Sequence, residues 1–288
     1  MPEFETPSPI DLAINLPVGA ITVVASDRTD TVVTVSPTNP DKPVDVRGAS
    51  ETRVEFDGER LTVHGPKPRL SWIGPTESVD LTVELPFDSR FTAEISVGWV
   101  RTRGRLGATR VKASTGAADL DHTGDLWLRA GHGAATIGTV DGNAEVTADH
   151  GAIRIGSVSG DAILKASHGS ITIGDSGGDV DAKLSYGDLD IDRATAGVAA
   201  KTAYGSIQVR EVSAGSIQLD SGFGAISVGV LPGVPAWLDL GSKEGRVRNE
   251  LSGDAAPTDS EQAVSVRART QFGDITLSRA TTPERKNS

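Results

Sequence analysis

The chain has 288 residues, enough for one large or two ordinary domains, and carries a net charge of −11. That charge disfavours general nucleic-acid binding, because phosphate contacts need a basic face. There is no cysteine, which excludes disulfides, thiolate metal sites and cysteine nucleophiles, and aromatics at 4% leave Val, Ile, Leu and Ala to build any core.

The start, Met1-Pro2-Glu3-Phe4-Glu5, lacks the basic and apolar stretches of a signal peptide, and the rest of the chain has no long apolar run. A soluble chain with no membrane insertion and a cytoplasmic location is expected. Residues 1–90 alternate apolar and polar positions, as in Ile10, Leu12, Ile14 and Leu16 or Leu81, Val83 and Leu85. Prolines interrupt that alternation at Pro37, Pro40 and Pro43, and again at Pro66, Pro68 and Pro75. This predicts an irregular β N-terminal cap, continuous with the repeats of residues 91–280 and covering an open sheet edge that would otherwise invite aggregation. No helix of useful length is expected anywhere.

From residue 91 the chain repeats. Glycines opening a Gly-x-apolar-x-apolar pattern stand at Gly98, Gly116, Gly133, Gly151, Gly169, Gly187, Gly205 and Gly224, 18 residues apart with single-residue slips. A second series, Gly107, Gly124, Gly142, Gly160, Gly178, Ala196 and Gly215, falls nine residues before each following member of the first. Two nonapeptides therefore make one coil. Inward positions read Ile153/Ile155, Ile171/Ile173, Leu189/Ile191 and Ile207/Val209, with polar residues between them, which is the period of a strand. Antiparallel hairpins would not keep one register at intervals of 18 residues, whereas stacked coils must. The expected fold is all-β: a single-stranded parallel β-solenoid, or β-helix, of about 18-residue coils over 91–280. Periodicity leaves its handedness undetermined, with a lean toward right-handed. After Gly224 the period loosens; Gly253 to Gln262 reads as a loop, and Phe272-Gly273-Asp274-Ile275-Thr276-Leu277 closes the last coil. The tail 281–288 is polar and expected to be disordered.

The units His168-Gly-Ser-Ile-Thr-Ile-Gly174 and Tyr186-Gly-Asp-Leu-Asp-Ile-Asp192 resemble a bacterial family of β-strand repeat proteins named "putative adhesin", a domain of unknown function (4097). Lys243 to Leu251 and Phe272 to Leu277 match it as well. The resemblance spans nearly the whole chain. It implies a β-solenoid and supplies no active site.

The residue before each first-series glycine forms a column: Thr115, His132, His150, His168, Tyr186, Tyr204 and Phe223. Coils about 4.8 Å apart make such side chains stack. Three imidazoles could serve a metal, but parallel rings do not converge on one ion, and Tyr and Phe replace His along the same column. A structural stacking ladder is expected, with no metal and no cofactor. Asp188, Asp190 and Asp192 alternate outward on one coil, as Asp119 and Asp121 do on another, which raises the paired carboxylates of a carbohydrate-cleaving β-helix. The stacked neighbours of Asp190 are Thr172 and Gln208, so solvated edge charge is the better account. Calcium-type nonapeptides need a recurring Asp at a fixed corner, and none is read here. Arg101, Arg103 and Arg105, with Arg110, Lys112 and Trp99 nearby, form a basic stretch able to receive an acidic protein or polymer. No nucleophile elbow, phosphate loop or dinucleotide fingerprint occurs. The expected role is a non-enzymatic scaffold or interaction protein with an unidentified protein or polymer partner and a capacity for self-association. The alternative is a carbohydrate-binding or carbohydrate-cleaving β-helix.

Overall fold

A computed structural model describes residues 2–67, 77–251 and 263–280. Pro68, Pro75, the stretch from Gly253 to Gln262 and the tail from Thr281 lie outside the described residues. The chain divides into two units, Met1–Arg154 and Ile155–Ser288. Among the described residues no helix is long and apolar enough to cross a membrane.

Both units are built as a parallel β-solenoid, with two strands to each coil and a first-series glycine at the corner between them. In the first unit, Thr109–Thr115 pairs with Leu126–His132, which pairs with Ala144–His150; Ala118–Thr123 pairs with Ala135–Val140 on the other wall. The second unit repeats this. One wall runs through Ala162–His168, Val180–Tyr186, Val198–Tyr204 and Ser216–Phe223; the other runs through Ile171–Ser176, Leu189–Ala194, Ile207–Val212 and Ile226–Val230. Identical register puts one coil's inward Ile and Leu on the next coil's. Ile171, Ile173, Leu189 and Ile191 are all fully buried. Each such side chain contributes about 1.5–3 kcal/mol by leaving water. The frequent inward alanines, Ala118, Ala135, Ala162 and Ala182 among them, keep the two walls close.

The first-series corners need glycine for two reasons. All of them, from Gly98 (φ 139°) to Gly224 (φ 156°), take positive φ. A Cβ there would also run into the carbonyl of the glycine one coil below, as Gly187 would into Gly169 and Gly205 into Gly187. Among second-series glycines only Gly215 has positive φ. At Gly107, Gly124 and Gly178 the reason for a small residue is a neighbouring coil's backbone passing close by, Gly124 standing over Gly107.

The column extends beyond the repeat read from the sequence. Asp11–Ser26 and Arg90–Arg103 pair in parallel along their whole lengths, each turning its corner at a glycine, Gly19 (φ 138°) over Gly98 (φ 139°). Residues 11–26 are therefore a complete coil. Their order is not sequential: Asp11–Ser26 lies between Arg90–Arg103 and a coil made of Arg60–His64 and Val79–Pro86. Antiparallel strands then finish both walls. Arg53–Phe56 covers Arg60–His64, while Asp30–Pro37 covers Val79–Pro86 and is itself edged by Glu3–Glu5.

Two expectations fail at the ends. The stretch marked by Pro37, Pro40 and Pro43 contains a helix, Pro43–Glu51, opened by Pro43 in its first turn. Asp45, buried in that first turn, accepts hydrogen bonds from the backbone N–H groups of Ser78 (3.1 Å) and Asn39 (3.3 Å). Nine residues with Gly48 inside them and Val46 exposed carry no apolar stripe, so periodicity could not announce the helix. In the second unit, Val264–Phe272 and Ile275–Arg279 do not close the last coil. They lie between the Ser216–Val230 coil and an outermost coil made of Ala236–Glu244 and Val247–Asn249.

Candidate interaction surface

From His132 onward, the residue before each first-series glycine is a ring at the border of one wall, exposed to solvent and in register with its neighbours in the same unit. In the first unit His132 and His150 stack with ring centroids 4.7 Å apart and planes 1° from parallel. In the second, His168, Tyr186, Tyr204, Phe223 and Phe272 form a continuous stack, with successive centroids 5.1, 5.0, 4.9 and 4.7 Å apart. The rings face one another, so each shows solvent an edge while its faces are covered. Phe272 then meets Glu244 of the outermost coil. Parallel imidazoles at this spacing do not aim their nitrogens at a common point. Among the described residues no group of three or more His, Asp or Glu side chains could hold a metal.

Beneath three of the second unit's rings, the exposed corner is secured by a buried hydroxyl. Thr202 donates to the carbonyl of Gly187 (3.3 Å), Ser221 to that of Gly205 (3.0 Å) and Thr270 to that of Gly224 (3.1 Å). These stand two residues before Tyr204, Phe223 and Phe272, and the same spacing was present in the sequence.

Three residues before each ring runs a second column, which sequence reasoning missed. Lys165, Lys183 and Lys201 are register partners on consecutive coils, followed by Asp220 and Arg269. Lys183 reaches Asp181 at 3.2 Å and Arg269 reaches Asp239 at 2.5 Å. Like charges directly opposite one another are unfavourable, so three stacked lysines are a local cost in a chain that is otherwise acidic. Their recurrence at 18 residues was the signal that could have found them. Lys201, Tyr204, Phe223, Lys243, Arg269 and Gln271 line one open groove of about 700 Å³ on this side of the unit.

The residues singled out from the sequence are more fully engaged. Arg101 meets Asp119 at 3.1 Å, with its guanidinium 5.1 Å from the Trp99 ring, and Arg105 meets Asp88 at 2.7 Å. Lys112 meets Glu94 at 2.6 Å, and Arg110 lies 3.6 Å over Trp127. Arg103 forms no ion pair among the described residues. Arg101 and Arg103 are exposed at the end of Arg90–Arg103 and Arg105 is exposed at the start of the next strand, Arg105–Leu106, but two of the three charges are already matched. The carboxylates are engaged too. Arg210 bridges Asp190 (2.9 Å) and Asp192, Asp188 accepts the backbone N–H of Ser206 (2.7 Å), and Asp121 accepts that of Gly104 (2.8 Å). Asp190 lies between Thr172 and Gln208.

One reading of the corners is corrected. An acid does recur at a fixed corner position: Asp125, Asp161 and Asp179 each follow a second-series glycine. Their role is structural. Asp125 accepts the N–H of Asn143 (2.8 Å), Asp161 that of Asp179 (2.9 Å) and Asp179 that of Gly197 (2.8 Å), each on the next coil. These N–H groups stand at corners where the strand ladder is interrupted, so the carboxylate continues the hydrogen bonding from coil to coil. Asp179→Ala should lower stability by about 1 kcal/mol, read as a shift in the urea midpoint at unchanged slope.

The family model described as Toastrack DUF4097 matches residues 11–278. A solved structure of a "putative adhesin" from Bacteroides fragilis is similar over 96% of this chain and 95% of its own, with 12% identity and a TM-score of 0.37. A "putative cell adhesion protein" from Clostridium sporogenes is similar over 96% of this chain and 99% of its own, with 11% identity and a TM-score of 0.19. Scores this low carry no argument about this chain. No curated protein matches it.

Proposed function

The chain belongs to the Toastrack DUF4097 family, and from that premise we propose that it is a non-catalytic interaction scaffold whose second unit receives an acidic segment of a protein partner. The observation that carries this reading is the pair of columns on one wall: Lys165, Lys183 and Lys201 in register, beside the exposed edges of Tyr186, Tyr204 and Phe223. Stacked cations about 4.8 Å apart repel one another, and an extended acidic chain lying across the coils would relieve that repulsion residue by residue. Ring edges carry the positive end of the aromatic quadrupole, which also suits carboxylates.

Two observations weigh against the carbohydrate alternative. Sugars stack on ring faces, and here the faces are covered by neighbouring rings at 4.7–5.1 Å. The outward carboxylates that a hydrolase would need are bonded to Arg210 or to backbone N–H groups. The arginine stretch Arg101, Arg103 and Arg105 is the second candidate surface. It ranks lower because Arg101 and Arg105 have acids of their own.

The test is fluorescence anisotropy with a labelled glutamate-rich dodecapeptide, at low and at physiological salt, beside a panel of polysaccharides assayed for new reducing ends. Binding that weakens with salt, and at least tenfold in a Lys165→Gln/Lys183→Gln/Lys201→Gln variant, is the expected result. Peptide affinity that is unchanged in the variant, or polysaccharide cleavage by the wild type, would overturn the proposal.

A further inference from the structure

The first coils of the first unit and the last coils of the second unit are finished differently. In the first unit the antiparallel strands Glu3–Glu5, Asp30–Pro37 and Arg53–Phe56, together with the helix Pro43–Glu51, cover the first coils. In the second unit the outermost strand, Ala236–Glu244, is hydrogen-bonded on one side only, to Val264–Phe272. Among the described residues no strand covers its other side. The inward columns show the consequence. Val266, Ala268 and Ile275 are buried, whereas their register partners Leu238 and Leu240 are half-buried and Val247 is 45% exposed. Trp237, on the outer face, is 58% exposed. A nine-residue edge with open N–H and C=O groups and an apolar inner row is a template for another strand.

We infer that this edge pairs with the same edge of a second copy of the chain, antiparallel about a two-fold axis at Leu240. Three observations favour a second copy. The sequence is self-complementary in that register. Leu240 meets Leu240, Leu238 meets Ser242, Trp237 meets Lys243 and Asp239 meets Gly241, so inward residues face inward residues and a lysine lies against an indole. Moving the axis one residue, to 239, would set Asp239 against Asp239. The undescribed stretches that adjoin this coil in sequence, 252–262 (SGDAAPTDSEQ) and 281–288 (TTPERKNS), contain no large apolar side chain to lay over its inner row. Finally, the finished end of the first unit offers no comparable edge, so the contact is isologous and closes at two chains instead of growing a filament. This inference does not depend on the acidic-partner reading, which rests on the Lys165, Lys183 and Lys201 column, although Lys243 borders both surfaces.

The chain contains no cysteine, so a single introduced thiol reports the register cleanly. Leu240→Cys places two thiols across the axis at a Cα separation of about 4.5–5.5 Å, within disulfide range. Ser242→Cys places each thiol opposite Leu238 instead. With oxidised glutathione as oxidant, Leu240→Cys should form a covalent dimer at least tenfold faster than Ser242→Cys. Sedimentation should show the wild type as a dimer at micromolar concentration and Leu240→Lys as a monomer with an unchanged circular dichroism spectrum. A monomeric wild type at 100 μM, or equal cross-linking rates for the two cysteine variants, would overturn the inference.

Discussion

Ile173→Asp should leave the second unit unfolded. Ile173 is fully buried and lies in register with Ile191 on the next coil, within a row of inward Ile and Leu that includes Ile171 and Leu189. No basic side chain is buried among the described residues, so an aspartate there would be an uncompensated charge in an apolar interior. Desolvation alone would cost more than about 4 kcal/mol, a large share of the 5–15 kcal/mol that typically holds a domain. Solenoid stability is a sum over neighbouring coils, so damage at one coil also removes the support of the two beside it. Far-UV circular dichroism and a urea titration measure the loss. Thr172→Lys, one residue away and facing outward beside Asp190, should stay within about 0.5 kcal/mol of wild type. If both variants unfolded equally, alternation would not be what sets the core.

Gly205→Ala should be the second most damaging substitution, although it adds only a methyl group. Two penalties combine there. The backbone sits at φ 151°, a region that L side chains avoid, and the new Cβ would overlap the carbonyl of Gly187 on the coil below. That carbonyl cannot retreat freely, because it accepts the hydroxyl of Thr202 and belongs to a corner stacked on Gly169. The combined cost should exceed about 3 kcal/mol. Gly58→Ala separates the two terms. Gly58 has φ 105° but nothing within 4 Å of a Cβ, so only the backbone penalty of about 1–2 kcal/mol applies. Equal losses at the two positions, compared by urea midpoint, would mean that coil-to-coil contact adds nothing to the demand for glycine.

Much of this was legible in the chain, because a solenoid writes its contacts at a fixed spacing. Residues 18 apart become neighbours, so the in-register rows Thr172–Asp190–Gln208 and Tyr186–Tyr204–Phe223 could be read by counting. The columns at Asp125, Asp161 and Asp179 and at Lys165, Lys183 and Lys201 were equally countable. They escape a reading built on glycines, rings and carboxylate triads, because their chemistry lies in rows of single charges.

The repeat and its glycines thus determined by themselves the coil, its inward rows and the stacked corner column, since local alternation and a constant register leave one way to bury the apolar face. The ends were decided only by the tertiary structure. Asp11–Ser26 lies between coils contributed by later segments, and Val264–Arg279 lies inside the Ala236–Asn249 coil that precedes it. No period records such an order, because it joins strands at separations that occur once. Which of several similar edges a strand completes is settled by where an unpaired row of N–H and C=O groups and an open apolar interior remain when the coils have stacked.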